Sequence, residues 1–354
     1  MEVLTSHFLS RIQSGNPQLC ALRFVDEEQA LQAARAMDRR LAAGEPLPAL
    51  AGVPVVVKEN CDTAGMPCSA GLPFRANQRP RTDAPIISRL REAGAILLGV
   101  SVSDPGAFGV RTVDVTHPHD ATLTVGGSSG GSAAALAAGY CLAAIGTDTG
   151  GSIRIPSACC GTVGLKPSFG SLPMAGIYPL VPSLDHVGPM ANTVEDVRLV
   201  WQALGAHAPE TAPVQTVGYD SDWVREAHSE IGASFSAVLE TIARSGIRVK
   251  EIQLPRLDQV LEMHGRIFFV EGAAYHHACF KRDIPNYPPM ARDWFEIART
   301  MPAGDYVDAC ERRGRFTRRI DQRLGDVDLI LTPTLPVLHP RRDACELVVS
   351  GRAV

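Results

Sequence analysis

The stretch Val125–Pro167, VGGSSGGSAAALAAGYCLAAIGTDTGGSIRIPSACCGTVGLKP, decides how the chain is read. It holds two Gly-Gly-Ser turns, Gly126-Gly127-Ser128 and Gly150-Gly151-Ser152, with an apolar segment between them. Paired glycines let backbone approach a neighbour closely and take positive φ at little cost. Each serine then places a hydroxyl beside backbone N–H groups that are still free. Between the turns, Ser129–Gly139 predicts a small-residue helix whose Ala-rich faces pack closely under a sheet, and Cys141–Gly146 predicts a strand. Two turns joined by such a buried unit predict one pocket built from both of its ends.

Outward from this unit the pattern alternates between helix and strand. Asp26–Gly44 reads as a helix, with Asp26 as N-cap, Glu27 and Glu28 in the first turn and Arg39 and Arg40 in the last, charges that suit the helix dipole. Val53–Val57 is a β-branched run that predicts a buried strand ending in Lys58-Glu59-Asn60, and lysine is rarely buried without purpose. Asp83–Ala93 predicts a short helix and Ala95–Val100 a strand. Thr193-Val194-Glu195-Asp196 opens a capped helix to about Leu204. Further strands are expected at Val214–Tyr219, Val249–Leu254 and Val327–Thr332, and further helices at Ser229–Ser245, Leu257–Phe280 and Ala303–Leu324. The expectation is an α/β fold with a mixed central sheet covered by helices on both faces. No repeat or linker stands out, so 1–354 is read as a single domain.

The totals set the class. The chain has 354 residues, 45% hydrophobic and 20% charged, with a net charge of −4; these values are ordinary for a globular protein and give no reason to expect nucleic acid or an anionic membrane. Nine cysteines in no zinc or disulfide pattern read as reduced thiols. No signal peptide is read at the N-terminus, and Ala133–Ile145 is too short to span a bilayer, so a cytoplasmic protein is expected.

A serine attacks an amide only with a base to take its proton and donors for the developing oxyanion. Ten histidines leave a Ser-His-Asp site open by count, and Gly126–Gly130 satisfies G-x-S-x-G. That elbow needs a strand leading into the serine, whereas Val125 follows a histidine-containing loop. A second solution uses Lys58: desolvation at a strand end lowers a lysine pKa from about 10.4 and leaves a neutral amine as base. A second serine would relay the proton, and the N–H groups of Thr149, Gly150, Gly151 and Ser152 would form the oxyanion hole.

These residues resemble the amidase signature family of serine hydrolases. GGSSGGSAAALAAG followed by IGTDTGGSIRIPSACCGTVGLKPSFG is similar to the family's signature from end to end. LAGVPVVVKEN resembles its lysine strand, VPSLDHVGPMANTVEDV its next block and VDLILTPTLPV a late strand. The resemblance implies Ser152 as nucleophile, Ser128 as bridging serine after a cis Gly127–Ser128 peptide, and Lys58 as base. It implies hydrolysis of a small carboxamide through an acyl-enzyme, with residues 26–204 the signature core and 205–354 a variable, substrate-side region. It implies no cofactor or metal, a small-molecule amide as partner, and a homodimer or partner chain as an option. Two departures stand out. Val125 replaces a common proline, and the sequence stops before the family's FNLTGxPA-like and LPVGLQ-like segments, so a fold lacking the usual C-terminal part is expected. Two other readings stay open: the amidase component of an amidotransferase, and a truncated, non-catalytic remnant or binding subunit.

Several nearby residues have plainer readings. Ser129 and Ser132 are expected to cap or pack the small-residue helix, and Asp148 and Arg154 to pair and hold the second turn. His117, His119, His276 and His277 read as solvated or core histidines, and Cys159 and Cys160 as packing residues. Acyl-pocket residues are expected within Cys61–Gly71, Ser101–Asp120 and Tyr178–Asp185.

Overall fold

The computed structural model describes residues 1–205 and 212–344 and two short strands at 348–349 and 352–353. Its residues group into two compact units, Met1–Ala208 with Phe280–Ala291, and Pro209–Cys279 with Arg292–Val354. Residues 206–211, just beyond the expected signature core of 26–204, lie outside the described residues.

In chain order the first unit contains α1 (Glu2–Leu19), β1 (Leu22–Val25), α2 (Glu27–Ala42), β2 (Pro54–Lys58), α3 (Pro85–Glu92) and β3 (Ile96–Ser101). It continues with α4 (Gly130–Ala137), β4 (Ala143–Asp148), α5 (Arg154–Cys160), β5 (Val163–Gly164), β6 (His186–Ala191) and α6 (Val194–Ala203). The strands form one sheet in the order β1-β3-β2-β4-β6-β5. Strand β2 lies parallel to both β3 and β4, whereas β1, β6 and β5 pair antiparallel, so the sheet is mixed as expected.

Alternation along the strands explains why both faces are covered. In β2, Val56 packs with Phe8, Ile12, Ala30, Ala34 and Ala133–Leu136, which belong to α1, α2 and α4. Val55 and Val57 pack on the opposite side with Ile86, Ile87 and Leu90 of α3 and Val200 of α6. Successive strand side chains point to opposite faces, and a central strand with helices on each side is therefore apolar throughout. Helix α4 can lie that close because Gly131 has no side chain: a Cβ there would sit 2.5 Å from the carbonyl oxygens of Ala21 and Val102. Asp26 caps α2 through Gln29 N–H, and Thr193 caps α6 through Asp196 N–H, both as read.

The second unit contains β7 (Thr216–Tyr219), α7 (Ser221–Arg225), α8 (Ser229–Arg244), β8 (Arg248–Glu251), α9 (Leu257–Cys279), α10 (Pro289–Thr300), α11 (Ala303–Leu324) and β9 (Leu329–Ile330). Its three strands pair in parallel in the order β8-β7-β9, over a small core of Ile252, Leu254 and Val327. Two further strands, β10 (Val348–Val349) and β11 (Arg352–Ala353), pair antiparallel. The other residues beyond 344, where the expected C-terminal shortening bears, lie outside the described residues.

Candidate active site

Strand β2 delivers Lys58 to the end of the sheet with its side chain fully buried. Its Nζ lies 2.7 Å from Ser128 Oγ and 2.8 Å from Thr147 Oγ1, while Asn60 Nδ2 donates to the same Thr147 oxygen at 3.0 Å. Burial pushes the Lys58 ammonium down to about 8, against the pull of Cys61, Asp104, Asp148 and Asp185. A sizeable fraction of this amine is therefore neutral near physiological pH, as a general base requires.

Ser128 stands just before α4, and the Gly127–Ser128 peptide is cis. It is fully buried, and its carbonyl accepts from Asp104 N–H at 3.1 Å and from Thr112 Oγ1 at 3.3 Å. Residues 124–126 before it have no regular structure, so the strand that a nucleophile elbow needs is not there. The side chain that meets Ser128 is a lysine rather than a histidine.

The second turn is held by one carboxylate. Asp148, the last residue of β4, is fully buried in its side chain and accepts from the amides of Gly151 at 2.9 Å, Ile153 at 3.1 Å and Arg154 at 3.3 Å. The Arg154 guanidinium closes on both its oxygens, Nη2 at 2.7 Å and Nε at 3.0 Å. Burial alone would raise the Asp148 carboxyl, but Arg154 and these amides hold it below the usual range. The expected Asp148–Arg154 pair is thus present, and it curls the loop around Ser152. Gly151, at φ 140°, takes a backbone conformation that side chains rarely adopt. Ser152 itself is 7% exposed, and its carbonyl accepts from Ser129 N–H at 3.2 Å, which ties the second turn to the first.

One expectation for this loop changes. Of the four amides expected to face an oxyanion, that of Gly151 is turned onto Asp148, because the carboxylate needs it to close the loop. Among the described residues, the amides of Thr149, Gly150 and Ser152 have no protein partner. The Thr149 hydroxyl donates to Asp185 at 2.6 Å, and Asp185 also accepts from the Leu180 and Val181 amides.

The other singled-out residues serve the frame. Ser129 gives no side-chain cap to α4; its Oγ instead bridges the amide and carbonyl of Thr147 at 3.2 Å each. Ser132 Oγ pairs with Ser101 Oγ at 2.7 Å and donates to the Ile145 carbonyl. His117 is buried beside the Cys159 carbonyl and accepts from the His119 and Asp120 amides, organising its own loop. His276 is buried and His277 stacks edge-on with Phe295. Cys159 and Cys160 are buried as expected; burial pushes the Cys61 thiol up to about 12 and that of Cys159 to about 11. Cys20 and Cys279, by contrast, are exposed.

The three segments expected to build the acyl pocket are all tied to this centre. Tyr178 N–H donates to the Asn60 carbonyl at 2.7 Å, Ala70 N–H to that of Glu59 at 2.9 Å, and Asp104 N–H to that of Ser128. Glu59, fully buried, also accepts from Ser69 and from the Ser103 amide. Asn60, Thr147 and the anchoring roles of Glu59 and Asp185 were not singled out from the sequence. Only the adjacency of Asn60 to Lys58 and of Thr147 to Asp148 hinted at them.

Residues 3–350 match the family model described as Amidase. The chain belongs to the amidase family. Among solved structures, an amidase crystal structure superposes with a TM-score of 0.91 at 32% identity, covering 100% of this chain and 82% of that one. A chain from a structure described as a vestigial protein complex that reveals the evolutionary origins of an s-triazine catabolic enzyme superposes with a TM-score of 0.90 at 30% identity over the same shares. Among curated relatives, a glutamyl-tRNA(Gln) amidotransferase subunit of Chloroflexus aggregans is 33% identical over 382 residues, 95% of this chain and 78% of the relative. The fold read from the sequence is that of this amidase family, and the chain is an amidase-type hydrolase by kinship. Among the described residues, no helix is long and apolar enough to cross a membrane, and no group of three or more His, Cys, Asp or Glu is placed to hold a metal ion.

Proposed function

We propose that the chain hydrolyses the C–N bond of a small carboxamide through a seryl acyl-enzyme, with Ser152 as nucleophile, Ser128 as proton bridge and Lys58 as base. The observation that carries this reading is the 2.7 Å contact between a fully buried lysine amine and Ser128 Oγ. Ser152 Oγ forms a bond to the amide carbon as its proton passes to Ser128 and the Ser128 proton to Lys58. The negative charge on the carbonyl oxygen is met by the free amides of Thr149, Gly150 and Ser152. When the C–N bond breaks, the leaving amine takes the proton back through Ser128. Water then adds to the acyl carbon by the same relay in reverse, releasing the acid and restoring Ser152. The reaction is assigned to the cytoplasm, where the eight free cysteines among the described residues stay reduced.

A second reading keeps the same chemistry and changes the destination of the ammonia. The likeness to a curated amidotransferase component favours a chain that hydrolyses a carboxamide for a partner, and the neighbour from a protein complex supports a partner chain. The test treats the full chain with a fluorophosphonate and locates the adduct by mass spectrometry. Labelling at Ser152, lost in Ser152→Ala and slowed at least about a hundredfold in Lys58→Ala, is the expected result. A folded chain that does not label supports the non-catalytic remnant. Ammonia release from an amide panel then separates the first two readings: the amidotransferase form prefers glutamine, the amidase form another carboxamide.

A further inference from the structure

We propose that Asn60, acting through the Thr147 hydroxyl, biases Lys58 toward its neutral, basic form. This positioning role rests on the reading of Lys58 as the base. The charges of three carboxylates, Asp104, Asp148 and Asp185, and the ionisable Cys61 thiol act on Lys58 through space. The carboxylates favour the ammonium, and Cys61 stays a protonated thiol because burial pushes it up to about 12. Burial of the amine opposes them. The polar contacts of Nζ decide how far that opposition carries, and they are two hydroxyls, Ser128 and Thr147.

The direction of the Asn60 contact follows from its neighbours. Asn60 is 2% exposed, and the Cys61 thiol donates to its Oδ1 at 3.5 Å. The carbonyl end of the amide therefore faces the thiol, and the NH2 end faces Thr147 at 3.0 Å. An N–H donated into the Thr147 oxygen does two things. It takes one of the two lone pairs of the Thr147 oxygen and so weakens that oxygen as an acceptor for the Lys58 ammonium, and it polarises the Thr147 O–H into a better donor toward a neutral amine. Both effects favour the neutral amine, whichever way the hydroxyl turns. A hydrogen bond that disfavours the charged form lowers the pKa of a lysine.

The test measures the Lys58 titration in the full chain by its 15Nζ resonance, which needs no turnover, alongside the pH dependence of fluorophosphonate labelling. Asn60→Leu keeps the volume and removes the donor. Its Lys58 midpoint is expected to rise by on the order of half to one pH unit, with the labelling profile moving by the same amount. In a Thr147→Val background the same substitution is expected to shift nothing further. An unmoved midpoint in Asn60→Leu, or an equal shift with and without Thr147, overturns the proposal. Where Asn60→Leu lacks a cooperative unfolding transition, Asn60→Ala carries the same expectation. A resonance that moves as expected in a wild-type chain that never labels leaves the Asn60 effect standing and removes the reading of Lys58 as a catalytic base.

Discussion

Lys58 Nζ and Ser128 Oγ, separated by seventy residues of sequence, meet at 2.7 Å in a fully buried contact. The strand that carries the lysine and the helix that follows the serine pack through Val56 and Ala133–Leu136, so the core that builds the sheet also sets this distance. Because burial holds the amine at about 8, activity is expected to rise with pH. Labelling or turnover falls about tenfold per pH unit below that midpoint and levels above it. A rate that is flat from pH 6 to 9 would show that Lys58 is not the base.

The same burial has a stability consequence of opposite usefulness. In the unfolded chain the amine keeps its proton up to its ordinary value of 10.5, but in the folded chain only up to about 8. Folding therefore carries a cost for deprotonation or burial of charge at low pH, and the penalty fades as pH rises from 8 to 10.5. Lys58→Met is expected to gain stability over wild type by about 3 kcal/mol more at pH 7 than at pH 11. Urea unfolding of both chains at the two pH values checks the difference, from which the constant loss of two hydroxyl contacts cancels.

Arg154→Ala leaves the Asp148 carboxylate buried without its counter-charge. A loss of about 2–4 kcal/mol is expected, discounted because the arginine is itself half-exposed. Labelling should slow about tenfold or more, since the loop amides lose their anchor. Arg154→Lys, which cannot close on both oxygens, should fall between the two. Thermal unfolding and labelling rates on the three chains decide it; an Arg154→Ala chain as stable and as fast as wild type would mean that the loop holds its shape alone.

Gly131→Ala places a methyl 2.5 Å from two backbone carbonyls, which cannot swing aside as a side chain could. A loss of about 1–3 kcal/mol is expected in chemical denaturation. Gly232→Ala, where nothing lies within 4 Å, is the control and should leave stability level or slightly raised.

What the sequence made legible tracks how local the signal is. Strand β2 showed as a run of valines because both its faces are covered, and α2 showed through its Asp26 cap and end charges. Helix α1 was missed: Gly15 and Pro17 lie inside it, and its stability comes from Phe8, Leu9 and Ile12 packing on the sheet rather than from propensity. Strand β6 is absent from the strands expected of the sequence, since Gly188 and Pro189 interrupt its apolar pattern, yet it pairs along the whole of β4. At the site, the serines and lysine stood out by motif. Asn60 and Thr147 did not, since a buried amide and hydroxyl acquire meaning only when folding aims them at Nζ. The loss of Gly151 as a free donor was likewise invisible until the Asp148 carboxylate was seen to claim it.

The distribution of thiols gives the chain a use outside its chemistry. Cys61, Cys68, Cys141, Cys159 and Cys160 are sealed in the interior and held protonated, whereas Cys20 and Cys279 stand in solvent, one in each compact unit. With Cys310 and Cys345 replaced by serine, a single dye placed on Cys20 in one variant and on Cys279 in another reports on one unit at a time. The rate at which each dye is lost to quenching during urea unfolding then reads the two units one at a time, with the interior thiols silent until their own unit opens.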